Sequence, residues 1–281
     1  MDREELKRLV AQLLAENAPA EAQPGEALTD LTKTDLRKLY LVEQPKNAAA
    51  FLQLKAKTPA RLGMGRAGTR YKTQTLLRFR ADHAAAQDSV FSQVPEDYAK
   101  ANDLVGLQTL CKEKEEYLTR PDLGRRFSQE TGKLIREVFS GQRILLVVGD
   151  GLSSAAITQN AMDCLQAIRQ GLKAQGLDTG KAIFVRYCRV GASDHLGELT
   201  GCELVCLLVG ERPGLVTNAS MSAYLTYRPR LGTQESERTV VSNIHAQGIA
   251  PVEAGAHIAA VMGQILAKKK SGVAFAQEAG R

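Results

Sequence analysis

The segment Ile144–Ile157 constrains the fold most, because its sequence ILLVVGDGLSSAAI has the pattern of a buried strand, a tight turn and a helix start. The apolar run Ile144–Val148 lacks the alternation of a half-exposed strand, so we expect both of its faces to be covered. Such strands occur in parallel sheets flanked by helices. Two glycines in Gly149–Gly151 permit the turn, and Ser153 or Ser154 can cap the helix that follows. The segment therefore predicts an open α/β domain.

Two interpretations of the Gly149–Gly151 turn stay open. The free N–H groups of the helix that follows form a natural site for an anion or a polar ligand. Alternatively, the turn only closes a strand-to-helix connection, because the G-x-G-x-x-G pattern of dinucleotide-binding proteins is incomplete here.

Strand and helix patterns alternate after Ile144, which predicts βαβ units with right-handed crossovers and a mostly parallel sheet. The predicted strands are 144–148, 183–190, 204–210, 220–227 (edge or antiparallel) and 239–243. The predicted helices are 154–175, 194–200 and 251–269.

The first half of the chain has helical patterns. Residues 29–54 are predicted as helical pieces broken at Pro45, and residues 58–71, rich in glycine, as an ordered loop. A helix is predicted from about Thr73 to Phe91, and residues 98–138 as helical with a break at 120–126. The residues predicted to form much of the apolar face of the 73–91 helix are Leu76, Leu77, Ala84, Val90 and Phe91.

The N-terminal segment has its own organisation. An apolar stripe at helical spacing is followed by a proline- and alanine-rich stretch at 18–27, which is typical of a disordered tether. The stripe consists of Leu6, Leu9, Val10, Leu13 and Leu14. We therefore predict an N-terminal targeting helix and tether (1–28), a helical domain with a basic loop (29–140) and a Rossmann-like domain (141–281). The fold class is α/β: a Rossmann-like, mostly parallel sheet domain preceded by a smaller helical domain and a flexible N-terminal helix.

Composition and charge narrow the function. No apolar run is long enough to span a bilayer, and the charged N-terminus lacks a secretory signal, so we expect a cytoplasmic protein without a membrane partner. The net charge is +6, and its excess of basic residues is concentrated in the run from Lys55 to Arg80. No acidic residue occurs in this run, and the next one is Asp82. This run raises the alternative of a nucleic-acid or phosphate-binding module, although only Tyr71 and Phe79 could stack on bases. Five cysteines lack metal-binding spacing, so free thiols are expected.

Loops after the predicted strands form a polar rim at the edge of the sheet where α/β proteins bind ligands. Glu211 lies directly after a buried strand, where a carboxylate needs a partner; either Arg212 or a bound ligand satisfies it. The rim contains no nucleophile elbow, Walker lysine or paired carboxylates, and its histidines are not at metal spacing. We therefore predict a binding module that carries no catalytic set of its own.

Several motifs in this order resemble the small subunit of ethanolamine ammonia-lyase, over about Thr58 to Gly272. They are Gly65–Thr73, Leu76–His83, Tyr117–Arg126, Asp150–Ser153, Gly210–Leu215 and Ser242–His245. The resemblance implies one subunit of an adenosylcobalamin-dependent lyase that converts ethanolamine to acetaldehyde and ammonia by a radical rearrangement. The large subunit holds substrate in that family, and cobalamin lies between the two subunits. The family also implies location in a bacterial microcompartment, reached through the N-terminal helix.

The family's cobalamin contacts carry over to Val190, Glu211 and, less directly, Val240, where other members can have cysteine. The resemblance implies that no residue of this chain binds the cobalt. Asp194–Gly197 resembles the D-x-H-x-x-G motif of proteins that ligate cobalt through histidine, but its spacing differs. The resemblance and the scarcity of aromatics argue against nucleic acid, and the incomplete glycine pattern argues against a stand-alone oxidoreductase.

Overall fold

The computed structural model describes residues 30–279 of the 281. The predicted N-terminal helix and its tether (1–28) lie outside the described residues. The chain divides into two compact units, one reaching to Arg78 and the other beginning at Phe79. No helix within the described residues is long and apolar enough to cross a membrane.

The unit up to Arg78 contains a short helix, α1 (Ala48–Lys55), and a small hairpin of β1 (Arg66–Ala67) and β2 (Arg70–Tyr71). The prediction of a loop without strands over 58–71 is therefore wrong. Gly68 adopts a φ of 62° in the two-residue turn, a conformation that suits the twist of a hairpin and favours glycine. Helix α2 (Thr73–Phe91) has the predicted bounds and begins in this unit.

Helix α2 does not bury its predicted apolar face. Leu77 and Phe91 are 49% and 60% exposed. The buried positions recur at helical spacing and are mostly polar: Thr75, Arg78, Asp82, Ala86 and Ser89. Thr75 donates to the Met64 carbonyl, and Arg78 donates to the Thr34 carbonyl. Hydrogen bonds to backbone carbonyls, which sequence periodicity does not register, therefore help to orient the helix.

The second unit is mixed α/β. Its strands are β3 (Val105–Gln108), β4 (Ile144–Gly149), β5 (Ile183–Arg186), β6 (Leu204–Gly210), β7 (Met221–Tyr227) and β8 (Arg238–Ile244). Its further helices are α3 (Tyr98–Ala101), α4 (Lys114–Thr119), α5 (Gln129–Phe139), α6 (Ser154–Ala174), α7 (Ala192–Thr200), α8 (Pro251–Lys268) and α9 (Gly272–Ala279).

The six strands form one sheet in the order β3-β5-β4-β6-β7-β8. The first four are parallel to one another, and β7 is antiparallel to both of its neighbours. The mostly parallel α/β sheet is thus as predicted. Strand β7 is antiparallel but internal, because β8 pairs along its outer side.

Two predictions about strands are wrong in detail. Strand β3 lies in a region predicted as helical. It is only four residues long and contains Gly106, so its sequence pattern is too weak to distinguish a strand from a helix. The predicted strand 183–190 ends at Arg186, because Tyr187 adopts a φ of 56° and the chain leaves the sheet there. Strand β3 belongs to the six-stranded sheet but precedes residue 141, where the Rossmann-like domain was predicted to begin. The predicted domain boundaries themselves stay a prediction.

Both faces of the central strands are buried. Helices α6 and α8 cover one face, where Ile144, Leu146 and Val148 point. Helices α5 and α7 cover the other face, where Leu145 and Val147 point. Close contact between α6 and α8 requires small residues, since a Cβ on Gly255 would lie 2.5 Å from the Cys164 carbonyl. Removal of these apolar side chains from water is the main stabilising term of the unit.

Candidate functional site

The carboxyl ends of β4, β5 and β6 meet at one edge of the sheet. The chain goes from β4 to β5 on one side and then crosses to β6 on the other side of β4. Loops that separate in this way leave a crevice at the strand ends, which is where open α/β sheets bind ligands. A pocket of about 380 Å³ lies here, and Val190, Glu211, Arg189 and Tyr224 are among its lining residues.

Glu211 follows the last residue of β6 and is half-buried in this pocket. Its Oε2 accepts a hydrogen bond from Ser220 Oγ at 3.0 Å, and its Oε1 accepts one from Ser222 Oγ. Within residues 30–279 no ion pair joins Glu211 to Arg212, so the predicted alternative of an internal pair is not what the structure contains. Each carboxylate oxygen can accept two hydrogen bonds. The described contacts therefore leave one position on each oxygen for a ligand.

Val240 lies in the middle of the edge strand β8 and is 44% exposed. It pairs in register with Tyr224, which pairs in turn with Leu207, so the three side chains form a row on one face of the sheet. Helices α5 and α7 cover this face at the central strands. At Val240 the face is open to solvent in the described part of the chain.

Val190 lies in the loop after β5, partly buried against the core below helix α7. Its carbonyl accepts from Ser193 Oγ at 2.7 Å, which anchors the loop to the first turn of α7. The structure thus brings Val190 and Glu211 into one pocket. Val240 is not among the lining residues of that pocket, but it neighbours Tyr224, which is.

Arg189 and Tyr117 form the wall of the pocket beside Val190. The Arg189 guanidinium lies 4.2 Å from the Tyr117 ring centroid and donates to the Tyr117 carbonyl at 2.7 Å. Its buried Nε is without a hydrogen-bond partner among the described residues. A Cβ on Gly124 would lie 2.7 Å from the Arg189 side chain, so glycine is required beneath it. Sequence reasoning missed this contact; Tyr117 and Gly124 lie in the motif Tyr117–Arg126, whereas Arg189 lies outside it.

The Gly149–Gly151 turn is buried, and hydrogen bonds to other parts of the chain surround it. Ser153 caps α6 by accepting from the Ala156 N–H at 3.1 Å, and it donates to the Asn218 carbonyl at 2.5 Å. A Cβ on Gly151 would lie 2.7 Å from the Gly210 carbonyl. The helix start is therefore covered by the chain itself, which favours the interpretation of a strand-to-helix connection over that of an anion site.

Asp150 is fully buried within this turn. It accepts from Ser154 Oγ at 2.6 Å and from the Val94 N–H at 3.4 Å. Burial raises the pKa of Asp150, and burial lowers the pKa of the nearby Lys114, whose ammonium donates to the Gly151 carbonyl at 3.3 Å. These groups stabilise the turn behind the pocket.

The segment Asp194–Gly197 has a structural role. Asp194 accepts two hydrogen bonds from the buried Arg238 guanidinium, at 2.7 and 2.9 Å, and thereby joins α7 to the start of β8. His195 Nδ1 accepts from the Phe127 N–H at 3.0 Å, and burial lowers the pKa of this imidazole. The five cysteines are free and buried. Residues 30–279 contain no group of three or more His, Cys, Asp or Glu side chains arranged to hold a metal.

Sequence reasoning also missed Ser220 and Ser222, the hydroxyl partners of Glu211. Ser222 is fully buried in β7. A serine at an inward-facing position of a strand was the available signal, because a buried hydroxyl requires a hydrogen-bond partner.

Comparison with known proteins identifies the same family as the sequence motifs. Residues 48–276 match the family described as ethanolamine ammonia-lyase light chain (EutC). The chain is 55% identical to the ethanolamine ammonia-lyase small subunit of Clostridioides difficile, with 97% of this chain and 99% of that protein covered. It is 53% identical to the small subunit of Clostridium perfringens, with 97% and 92% covered, and 48% identical to that of Lachnoclostridium phytofermentans, with 97% and 99% covered. The chain therefore belongs to the ethanolamine ammonia-lyase light chain family and is part of a lyase.

Proposed function

We propose that this chain holds adenosylcobalamin against the large subunit of ethanolamine ammonia-lyase, for the conversion of ethanolamine to acetaldehyde and ammonia. The single observation that carries the proposal is Glu211. Its carboxylate lies at the carboxyl end of β6, is oriented by two serine hydroxyls and retains accepting positions in the pocket.

The residues around Glu211 suit a corrin. The amides at the edge of that ring are hydrogen-bond donors, which match a carboxylate acceptor. Val190, Tyr224 and Val240 offer apolar surface for the ring itself. The open sheet face at Val240 suits a ligand covered on its far side by another subunit.

This division of labour assigns cofactor binding to this chain and the chemistry to the cofactor and the partner subunit. Adenosylcobalamin, when bound, supplies the radical chemistry of the rearrangement. The residues of this chain would bind the periphery of the corrin and orient it, and Val190 and Val240 would exclude water from its edge. Substrate binding is assigned to the large subunit.

The test is reconstitution of the separately purified subunits. Acetaldehyde should form only when this chain, the large subunit and adenosylcobalamin are present together, and omission of any one should reduce turnover to background. Turnover by this chain alone, or full activity of the large subunit without it, would refute the assignment.

The basic run from Lys55 to Arg80 is not a continuous track. Lys55 is fully buried and donates to the Leu62 carbonyl, while Lys72 pairs with Glu43. Arg66 and Arg70 remain exposed on the β1–β2 hairpin. We propose that the partner of this hairpin is the large subunit and not nucleic acid. The contact would depend on electrostatic complementarity.

Reversal of both hairpin charges, Arg66→Glu with Arg70→Glu, should weaken association of the two subunits, and more strongly at low salt than at high salt. The measurement is the dissociation constant of the complex as a function of ionic strength. Lys173→Glu with Lys181→Glu, two exposed lysines of the second unit, is the matched control. An identical loss in both double variants would show that net charge, and not the hairpin, is responsible.

We propose that residues 1–28, which lie outside the described residues, direct the enzyme into a bacterial microcompartment. An amphipathic helix bearing the stripe Leu6–Leu14 would bind a groove by its apolar face. Deletion of Met1–Asn17 should abolish encapsulation of a fused fluorescent reporter and leave lyase activity intact. Replacement of Leu9 and Leu13 by glutamate should have the same effect, and normal encapsulation of either variant would contradict the proposal.

A further inference from the structure

We propose that an exposed apolar stripe on helix α2 is the docking surface for the N-terminal segment of the same chain, residues 1–17. The stripe consists of Leu77, Ala84 and Phe91. The inference goes beyond the proposed function, because it assigns this segment a partner within the chain itself. It involves neither the crevice at the strand ends nor cobalamin.

The stripe lies on the side of α2 opposite its buried residues. Its three members recur every seven residues, which is about two turns, so they form a row about 21 Å long. Leu77 and Phe91 are 49% and 60% exposed, and Ala84 is exposed between them. The small side chain of Ala84 leaves a hollow between the two larger ones. A straight row of exposed apolar residues at heptad spacing is typical of one half of a contact between two helices.

The N-terminal segment has the complementary pattern. Leu6 and Leu13 are also seven residues apart, and Leu9 and Val10 lie between them. In an antiparallel pair of helices, Leu6 and Leu13 would fill the two gaps of the α2 stripe on either side of Ala84. Leu9 and Val10 would then cover Ala84 itself, where the hollow accepts larger side chains.

The path of the chain favours this segment as the occupant. Arg78, the neighbour of Leu77, donates to the Thr34 carbonyl, so the beginning of the described chain lies beside the first turns of α2. Residues 18–29 connect the segment to that point and can span up to about 40 Å when extended. An antiparallel pair brings Asn17 to the Leu77 end of the stripe, so the connection is short. Such a tether gives the segment an effective concentration on the order of millimolar, which a separate partner would have to exceed.

Charged residues beside the two stripes match in the same orientation. On α2, Arg80 is exposed towards the first end of the stripe and Asp88 towards the last. In the antiparallel pair, Glu16 would lie within one turn of Arg80, and Lys7 within one turn of Asp88. A parallel pair would instead bring Lys7 to Arg80 and Glu16 to Asp88, which are like charges. Electrostatic complementarity therefore selects the orientation that the tether also permits.

Docking on α2 would also regulate the segment. It covers the apolar side chains that the segment would present to a microcompartment partner, so that partner would have to compete with α2. This consequence rests on the proposed targeting role, whereas the docking itself does not.

Disulfide trapping in the full-length chain tests the contact and its orientation. The five native cysteines are buried, so introduced exposed cysteines report proximity. Lys7→Cys with Asp88→Cys should form an intramolecular disulfide in the presence of diamide, at a rate that does not depend on protein concentration. Lys7→Cys with Arg80→Cys is the matched control, because only a parallel pair would bring these positions together. The control pair should react at least roughly tenfold more slowly, since its local thiol concentration is lower.

Tryptophan fluorescence gives a second, independent measurement. The chain contains no tryptophan, so Leu9→Trp introduces a single reporter. Its emission should be blue-shifted in the full-length chain, because the indole would be buried against Ala84. Ala84→Glu places a charge in the middle of the stripe; it should return the emission to that of an exposed indole and slow the trapping roughly tenfold or more. Leu134→Glu, at an exposed leucine of α5, is the control and should change neither quantity.

Three outcomes would overturn the proposal. The first is equal trapping rates for the two cysteine pairs. The second is emission of an exposed indole from the full-length chain with Leu9→Trp. The third is a blue shift that appears only after addition of the large subunit, or only as the protein concentration rises; it would identify the occupant of the stripe as the large subunit or a second copy. None of these measurements uses cobalamin or turnover, so the proposed cofactor-holding function is tested separately.

Discussion

Glu211→Ala should weaken cobalamin binding by the assembled enzyme about ten- to a hundredfold, because a hydrogen bond to a charged group contributes about 1.5–3 kcal/mol. The stability of the fold should change little. Ser220 and Ser222 lose their acceptor in this variant, but Ser222 keeps Ser242 as a partner and Ser220 also borders solvent. The two measurements are the dissociation constant for cyanocobalamin and the thermal unfolding temperature of the same complex.

Two companion variants sharpen this result. Glu211→Gln keeps the size and one accepting oxygen, so it should lose less affinity than the alanine variant. Arg212→Ala removes the neighbouring charge, which makes no ion pair with Glu211 among the described residues, and should leave the unfolding temperature unchanged. A large fall in unfolding temperature with unchanged cobalamin affinity in Glu211→Ala would mean that this carboxylate has a structural role only.

Asp194→Ala should lower the free energy of unfolding of the chain by about 3–5 kcal/mol, because it leaves a buried guanidinium without its bidentate partner. The side chains of Arg238 and Asp194 are 1% and 10% exposed. Glu235 also contacts Arg238, but its side chain is 79% exposed and it occupies a different nitrogen, so it does not replace Asp194. Chemical denaturation monitored by circular dichroism measures the change.

The matched control is Glu203→Ala, which breaks the surface pair with Arg143. Those side chains are 34% and 52% exposed, and the pair should contribute about 0–1 kcal/mol. Asp194→Asn keeps the shape and one acceptor. Its loss of unfolding free energy should therefore lie between those of Asp194→Ala and Glu203→Ala. If Asp194→Ala and Glu203→Ala destabilise the chain equally, the buried ion pair between α7 and β8 contributes no more to stability than the surface pair.

Helix α2 shows why some predictions fail although the element is correct. Its bounds were predicted from start and stop signals, which are local. Its orientation was predicted from apolar periodicity, and the structure instead buries Thr75, Arg78 and Ser89, whose polar atoms find distant partners. Burial of a polar side chain depends on the partner that it meets. That partner lies 11, 44 or 129 residues away along the chain.

The same distinction applies to the candidate site. Glu211 was identified because a carboxylate directly follows a buried strand, and the motif around it identified the family. Ser222 comes within hydrogen-bonding distance of Glu211 only through the pairing of β6 with β7. Asp194 gave no local indication that it pairs with Arg238, a residue 44 positions later.

Continuous apolar runs in the sequence were sufficient to predict β4 and β6, and ordered motifs were sufficient to identify the family, because both are properties of contiguous residues. The strand order, the internal position of β7, the inclusion of β3 and the hydrogen bonds that orient Glu211 are properties of the folded chain. They depend on contacts between segments far apart in sequence, whose free energy is determined by three-dimensional packing rather than by local pattern.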